Sequence, residues 1–379
     1  MYGLAALPVL IWIYLLIGRG AFWRVAARST PERPVGAPRH VTVIVPARNE
    51  AQVIGAALTS LARQTFEGVI DLIVVDDGST DGTAEAATEA ARASGALPRL
   101  RLIHGTAPPR GWTGKLWALA QGVAAAGGAG ADYLLLTDAD IEHGPGSVAT
   151  LVATAEAQDR DLVSHMVKLS TAAAVERLLI PAFVFFFLKL YPPAWVAAPR
   201  QEHKVAAAAG GCILIRPAAL ARIGGLHAIR SRIIDDCALA RAVKDSGGRI
   251  WLGLTRDTRS LRAYRSSGEI GAMISRSAFA QLEHSYLLLA ATLLGMFVTY
   301  LLPAVLLFAG DPLLIGVGAA GLVLMSVSYL PMVRFYGLSP LWSLCLPAIA
   351  LFYMGAVIHS AVQYARGSGG RWKGRVQDA

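Results

Sequence analysis

Hydrophobic and polar positions divide this chain into three parts. Residues 3–18 form an apolar run without charge, and residues 40–280 alternate short apolar runs with amphipathic stretches. Residues 286–364 contain only two charged side chains, Asp311 and Arg334. Because a bilayer core requires roughly 20 apolar residues per helix, the pattern predicts an N-terminal anchor, a globular domain and a C-terminal membrane bundle.

The predicted segments follow from these changes in composition. They are an anchor, a Pro-rich linker, the globular domain, an interfacial amphipathic helix, transmembrane helices and a basic tail, at 1–28, 29–39, 40–266, 267–285, 286–364 and 365–379. A cleaved signal peptide is the alternative for the first run. An uncleaved anchor is favoured because no Lys or Arg precedes it, whereas Arg19, Arg24 and Arg28 follow it. This bias puts the globular domain in the cytoplasm.

The side of the C-terminal tail stays open. Three stretches, 286–309, 313–333 and 341–363, are long enough to span a bilayer. With an outside N-terminus, three further spans would leave the tail outside. The tail carries Arg366, Arg371, Lys373 and Arg375, and such residues favour the inside.

Strand-like and helix-like patterns alternate through the globular domain. Four short apolar runs, "HVTVIVPA", "VIDLIVVDD", "RLRLIHG" and "DYLLLTDAD", are each separated from the next by a helical pattern. Continuous apolar strands between helices predict a mostly parallel Rossmann-like α/β sheet with helices on both faces. Ligands bind at the carboxyl ends of such strands. The aromatic stretch 178–195 has two interpretations, a helix at the membrane surface lining a lipid groove or a buried core helix.

Composition excludes several classes of function. The net charge is +9, but no Lys/Arg block accompanies it, so anionic lipid headgroups explain it better than nucleic acid. The three cysteines show no paired spacing, so they indicate neither a disulfide framework nor a zinc site. Neither the dinucleotide fingerprint nor the P-loop motif is present in the sequence.

Acidic residues end the second and fourth predicted strands. If the fourth strand remains extended through Ala139, Asp138 and Asp140 point to the same side. Two carboxylates with water and phosphate oxygens suit Mg²⁺ or Mn²⁺. Capping of a turn is the alternative. Asp77, in "VVDDGSTDGT", is placed to accept hydrogen bonds from a nucleotide, although a simple turn explains part of this motif.

Two further charged positions lie at predicted helix starts. Lys115 opposes the helix dipole there, so a bound anion such as a diphosphate accounts for it, and an exposed surface lysine is the alternative. Asp235 and Asp236 begin an amphipathic helix within 231–248. Capping explains them structurally, and a general base acting on an acceptor hydroxyl explains them functionally.

In order and spacing, these motifs resemble the GT-A glycosyltransferases of family 2 over residues 40–283. The segments that carry the resemblance include "VTVIVPARNE", "VVDDGSTDGT", "GKLWALAQG", "DAD" and "GGCILIRPAAL". The segments "PRGWTGKLWALAQG", "ERLLIPAFVFFF", "IDDCALAR" and "WLGLT" further resemble the bacterial hopene-associated glycosyltransferases, which implies a context of hopanoid biosynthesis.

The resemblance implies a role for each matching residue. Pro46, Glu50 and Asp77 would line the nucleotide pocket and Lys115 would contact the diphosphate. Asp138 would face the nucleotide-sugar and share with Asp140 the binding of Mg²⁺ or Mn²⁺. Asp236 would be the catalytic base, with Asp235 beside it. The full list of expected site residues is Pro46, Glu50, Asp77, Lys115, Asp138, Asp140, Asp235 and Asp236.

Two departures from the family pattern bear on the reaction. The usual Glu-Asp pair is Asp235-Asp236 here, so the first carboxylate is one methylene shorter. The Q-x-x-R-W signature of processive members is absent, because His284 and Ser285 follow Gln281 in place of Arg and Trp. This difference argues against a polymer-making synthase.

The sequence therefore predicts a metal-dependent, inverting glycosyltransferase of the bacterial inner membrane with a cytoplasmic catalytic domain. Its expected substrates are a nucleotide-diphospho-sugar and a hydroxyl of a lipid acceptor, with a hopanoid as the candidate. The alternatives are a polyprenyl-phosphate or diacylglycerol glycosyltransferase of the same fold, and a non-catalytic membrane scaffold of lipid synthesis. The sugar, the nucleotide and the oligomeric state are not predicted.

Overall fold

A computed structural model describes residues 2–25, 39–127 and 130–370. Contacts group them into two compact units. We call them the sheet unit, formed by described residues of 39–170 and 195–262, and the helical unit, formed by those of 2–25, 171–194 and 263–370. Residues 29–38 of the predicted linker and 371–379 of the predicted tail lie outside the described residues.

The sheet unit is built on one mixed sheet of eight strands in the order β3-β2-β1-β4-β7-β6-β8-β5. The strands are β1 (His40–Ala47), β2 (Val69–Asp76), β3 (Leu100–His104), β4 (Tyr133–Thr137), β5 (Ile141–Glu142), β6 (Leu162–Lys168), β7 (Cys212–Ile215) and β8 (Ile250–Ser260). The first four strands are parallel to one another. Their carboxyl ends therefore share one edge of the sheet, which we call the site edge.

The helices are, in chain order, α1 (Tyr2–Ala5), α2 (Leu7–Ile17), α3 (Ile54–Ala62), α4 (Thr83–Ala93), α5 (Gly114–Ala126), α6 (Ser147–Ala157), α7 (Ala174–Leu190), α8 (Pro193–Ala197), α9 (Pro217–Arg222), α10 (Asp235–Asp245), α11 (Ser267–Ser275), α12 (Ala278–Gln281), α13 (Tyr286–Met296), α14 (Leu302–Leu306), α15 (Pro312–Phe335) and α16 (Leu346–Ala365).

Continuous apolar strands explain the core of the sheet unit. All residues of β1 from Val41 to Ala47 are buried, as are all five residues of β4. A strand that is buried on both faces cannot alternate apolar and polar residues, and this requirement accounts for the unbroken runs. The predicted α/β sheet of Rossmann-like type is confirmed. The antiparallel strand β7, between β4 and β6, makes the sheet mixed.

The helical unit contains the predicted C-terminal membrane helices. Three stretches are long and apolar enough to cross a membrane, Tyr286–Leu306, Pro312–Phe335 and Pro340–Ala365. The first consists of α13, a π-helical turn and α14. The N-terminal apolar helix, Gly3–Ile17, is shorter. Its Trp12 is fully buried and donates a hydrogen bond to the Thr299 carbonyl at 2.9 Å.

The three long apolar stretches contact one another and neighbouring segments of the helical unit. Gly318 of α15 packs so closely on the Pro303 carbonyl that a Cβ there would lie 2.6 Å from the oxygen. At the other end, the Tyr364 ring of α16 lies 4.4 Å from the His284 ring, just before α13. The Ser326 hydroxyl donates to the Ser343 carbonyl at 3.5 Å. The segment before α16 therefore packs midway along α15.

Helix α7 corresponds to the aromatic stretch whose environment the sequence left open. Its Phe185 and Phe186 contact Tyr329 and Tyr353, with ring centroids 5.1 and 4.9 Å apart respectively. The Tyr353 hydroxyl also donates to the Leu179 carbonyl at 2.9 Å. These contacts place α7 among α15 and α16 inside the helical unit, which agrees with the interpretation as a core helix.

Candidate active site at the carboxyl edge of the sheet

Lys115 connects two of the predicted acidic motifs. Thr113 caps α5 by accepting a hydrogen bond from the Leu116 amide, so Lys115 lies in the first turn, as predicted. Its Nζ is 2.9 Å from Asp138 Oδ1 and 3.4 Å from Asp235 Oδ2. Burial alone would lower the pKa of the Lys115 ammonium, but Asp138 and Asp235 raise it well above its usual range. Lys115 is therefore a permanent cation between β4 and α10.

Asp236 is held rigidly by two backbone amides. Its Oδ2 accepts from the Gly210 amide at 2.9 Å and its Oδ1 from the Cys237 amide at 2.7 Å. Burial, followed by the neighbouring Asp235, raises the pKa of Asp236 to about 6, while Lys115 and these amides oppose the rise. A carboxylate with a pKa close to neutrality is suited to general-base catalysis.

The segment that supplies the Gly210 amide is fixed to the other end of α10. Lys244, near the end of this helix, donates to the carbonyls of Trp195, Val196 and Val205 at 2.9, 2.9 and 2.7 Å. The helix that carries Asp236 therefore also holds the chain on both sides of residues 197–204. At Gly210 a Cβ would lie 3.2 Å from Lys115 Nζ and 3.3 Å from Asp236 Oδ2, so a side chain at this position would crowd both charged groups.

A small cleft brings the charged groups together. Its polar wall comprises Lys115, Asp138, Gly210, Asp235 and Asp236. The rest of the lining is mainly apolar and includes Leu226, Ile229 and Leu239. Charged groups beside an apolar wall interact strongly because little water screens them.

Asp138 and Asp140 lie in a turn and not on an extended strand. Strand β4 ends at Thr137, and the Ile141 amide donates to the Asp138 carbonyl at 3.2 Å. The condition under which we predicted that the two side chains converge, extension through Ala139, is therefore not met. They are nevertheless close enough to interact. Burial, followed by Asp138, raises the pKa of Asp140 above its usual range, and Glu50 adds to this rise.

Arg262 is the cation that faces this second acidic group. Its Nε lies 3.7 Å from Asp140 Oδ2, and its Nη2 lies 4.0 Å from Glu50 Oε1. Arg262 lowers the pKa of Asp140 without cancelling the effects that raise it. Negative charge at Asp140 is thus incompletely compensated.

This incomplete compensation fits a hard divalent cation. Among the residues that the structure describes, no group of three or more His, Cys, Asp and Glu side chains forms a preformed metal site. The residues available to a metal are the two oxygen donors of the turn, Asp138 and Asp140. Donors of this kind suit Mg²⁺ and Mn²⁺ when water and phosphate oxygens supply the remaining positions.

The loops after β1 and β2 hold each other at the site edge. The Asn49 amide donates to Ser79 Oγ at 3.0 Å, and Asn49 Oδ1 accepts from the Thr80 amide at 2.9 Å. Asp77 is only 3% exposed, and Arg48 lies 3.6 Å from its carboxylate. Pro46 is buried within β1 opposite Val75.

The predicted residues therefore fall into three neighbouring sets. Lys115, Asp138, Asp235 and Asp236 share the cleft, Asp140 lies with Glu50, and Asp77 lies in the loop after β2. Pro46 is part of the strand itself. Sequence reasoning missed Arg48, Gly210 and Arg262. Gly210 belongs to the "GGC" segment, which the sequence analysis used only for the family resemblance. No motif indicated a role for either arginine.

Comparisons with known proteins agree with this fold. The family described as Glycosyl transferase family 2 matches residues 42–223. An N-acetylglucosaminyltransferase of Sinorhizobium fredii is 46% identical over 59 residues, which are 15% of this chain and 14% of that protein. An N-acetylglucosaminyl-diphospho-decaprenol L-rhamnosyltransferase of Mycobacterium tuberculosis is 27% identical over 222 residues, 52% of this chain and 67% of that protein.

One solved structure resembles nearly the whole chain in fold. It is a mannosyltransferase of Pyrobaculum calidifontis in complex with GDP-Man and Mn²⁺. The alignment has a TM-score of 0.58 and 18% identity, and it covers 94% of this chain and 98% of that chain.

Proposed function

Because this chain carries a family 2 glycosyltransferase domain at residues 42–223, we propose that it is a membrane-bound, inverting enzyme that acts on a lipid. The donor is a nucleotide-diphospho-sugar, and the acceptor is a hydroxyl group of a lipid. The cleft that joins Lys115, Asp138 and the Asp235-Asp236 pair carries this proposal. It combines a polar wall for a sugar with a candidate base.

Asp236 is the proposed general base. Its two amide contacts fix the carboxylate, and its raised pKa allows it to remove a proton from a hydroxyl near neutral pH. The acceptor oxygen then attacks the anomeric carbon as the bond to the diphosphate breaks, and the proton remains on Asp236. Attack from the face opposite the leaving group inverts the anomeric configuration.

Lys115 and Asp138 orient the reactants. Lys115 is within 3.4 Å of carboxylates on both sides, so it keeps Asp138, which faces the donor, in register with the Asp235-Asp236 pair. Its positive charge also favours an approaching diphosphate. Glu50 and Asp77 are the proposed nucleotide-facing groups, because their loops lie at the site edge.

Asp138 and Asp140 would hold Mg²⁺ or Mn²⁺. A divalent ion bound there supplies positive charge against the negative charge that develops on the leaving diphosphate. The incomplete compensation of the negative charge at Asp140 supports this assignment.

A lipid acceptor is supported by the helical unit. Three helices that are long and apolar enough to cross a membrane would keep the enzyme where lipid substrates are found. The acceptor that we propose on the sequence resemblance is a hopanoid. A prenyl-linked acceptor is the second candidate, since the name of the mycobacterial relative includes diphospho-decaprenol.

The test combines purified enzyme, labelled nucleotide-sugars and lipids extracted from cells that do or do not make hopanoids. Mn²⁺-dependent labelling of a lipid that requires hopanoid synthesis supports the proposal, and labelling of a prenyl-linked lipid supports the second candidate. Absence of transfer to any lipid, with intact binding of nucleotide, would contradict a lipid acceptor. A scaffold would show no metal-dependent nucleotide binding in calorimetry.

A further inference from the structure

Arg262 occupies a fixed position beside the second acidic group. The chain leaves β8 after Ser260, and the Leu261 amide donates to the Asp140 carbonyl at 2.7 Å. This backbone bond brings the next residue, Arg262, to 3.7 Å from Asp140 and 4.0 Å from Glu50. The pairing thus follows from the end of a strand and not from a chance surface contact.

The two sides of this pairing differ in exposure. The Glu50 and Asp140 side chains are 17% and 15% exposed, whereas the Arg262 side chain is 42% exposed. Both charge separations exceed hydrogen-bond length. Because Arg262 is the most exposed of the three side chains, it is the one that can turn toward solvent while the carboxylates stay in place.

We propose that Arg262 is the resident counter-ion of Asp140 and Glu50, and that a divalent cation replaces it. The inference rests on the metal site of the proposed function. Arg262 is a positioning residue in this role, because it keeps the carboxylates compatible with folding when no metal is bound. Metal binding then includes the cost of separating Arg262 from Asp140.

Another arginine of the same segment provides a matched control. Arg259 Nε lies 2.8 Å from Glu142 Oε2, and the Arg259 side chain is 63% exposed. Replacing Arg259 removes one positive charge and one ion pair but does not touch Asp140. The variants R262Q and R259Q therefore separate a local effect from a change in net charge.

The experiment is calorimetric titration of the detergent-solubilised, full-length protein with MnCl₂, without nucleotide. We expect R262Q to bind Mn²⁺ about two- to fivefold more tightly than wild type, since fivefold corresponds to a pair worth ~1 kcal/mol, the upper value for a partly exposed ion pair. R259Q should match wild type. The rise in Tm on adding Mn²⁺ should also be larger for R262Q, because ligand stabilisation grows with affinity.

Each outcome has a distinct meaning. Unchanged or weaker Mn²⁺ binding by folded R262Q, with wild type binding normally, overturns the counter-ion role alone. Equal tightening in R259Q and R262Q also overturns it, because net charge then explains the effect. If wild type binds no Mn²⁺ in this titration or in a repeat with GDP or UDP added, the metal site at Asp138 and Asp140 fails and the counter-ion inference fails with it.

Discussion

Asp236 is the residue on which the chemistry depends. We expect Asp236→Asn to lower kcat by about 10²–10⁴-fold, the usual contribution of a general base. The amide retains the shape of the side chain but cannot take up the proton. Turnover of labelled donor measures the effect, and calorimetry with the nucleotide-sugar should show nearly unchanged binding. Wild-type turnover in this variant would remove Asp236 from the mechanism.

The same residue predicts the pH dependence of turnover. Since burial and Asp235 raise the pKa of Asp236 to about 6, the base is protonated below this pH and ionised above it. We therefore expect kcat to fall as the pH decreases through 6.

Asp235 provides the test of that assignment. Asp235→Asn removes a neighbouring negative charge, so the pKa of Asp236 should fall and the acid limb of kcat should move to lower pH. A profile of kcat against pH for both proteins measures the shift. A limb that does not move, or moves to higher pH, would show that another group titrates.

Charge pairing at the site was only partly predictable from single residues. Lys115, Asp138 and Asp236 could be identified from the sequence because each lies at the end of a predicted strand or the start of a predicted helix, within a recognisable motif. Arg262 lies in no such motif. It reaches Asp140 only because β8 ends beside the β4 turn, and this neighbourhood depends on the pairing of β5 with β8, which the sequence pattern does not reveal.

At the level of elements, apolar periodicity predicted the strands well and their direction less well. Runs such as "HVTVIVPA" became strands because both faces are covered. Strand β7 pairs antiparallel with β4 and β6, and the chain reaches it from β6 only after an excursion through the helical unit. Local patterns carry no information about such an excursion. The environment of α7 remained open for a related reason, since apolar side chains suit a lipid and a protein core equally.

Helix α15 offers a prediction about packing of the membrane helices. Substituting Val at Gly318 should lower the Tm in detergent by several degrees, because its Cβ would collide with the Pro303 carbonyl. Val at Gly316 on the same helix is the control, as nothing lies within 4 Å of a Cβ there. Melting curves of the two variants provide the comparison. Equal losses would indicate that helix propensity, and not the contact, determines stability.

At the scale of the whole molecule, packing of the helical unit bears on membrane topology. Ala5 clusters with Leu306 and Leu314, which places the N-terminus beside the turn between α14 and α15. Tyr364 contacts His284 at the start of α13. The end of α16 and the start of α13 therefore share one side, and the basic residues after α16 need not contradict the positive-inside rule.

Reporter fusions test this arrangement. We expect green fluorescent protein fused after Ala379 to fluoresce, and alkaline phosphatase fused there to be inactive, because the tail would be cytoplasmic. Phosphatase fused after Gly310, in the turn between α14 and α15, should be active. The opposite pattern at the tail would mean that all three apolar stretches cross the membrane and that charge bias is overridden.

The double attachment of α10 has a consequence for how the enzyme can lose activity. Lys244 donates hydrogen bonds to three carbonyls, and the chain that follows them carries the Gly210 amide, which donates to Asp236. The position of the Asp236 carboxylate thus depends on contacts that Lys244 makes at the opposite end of the same helix. Loss of the Lys244 contacts would leave the catalytic groups of the cleft present but misaligned.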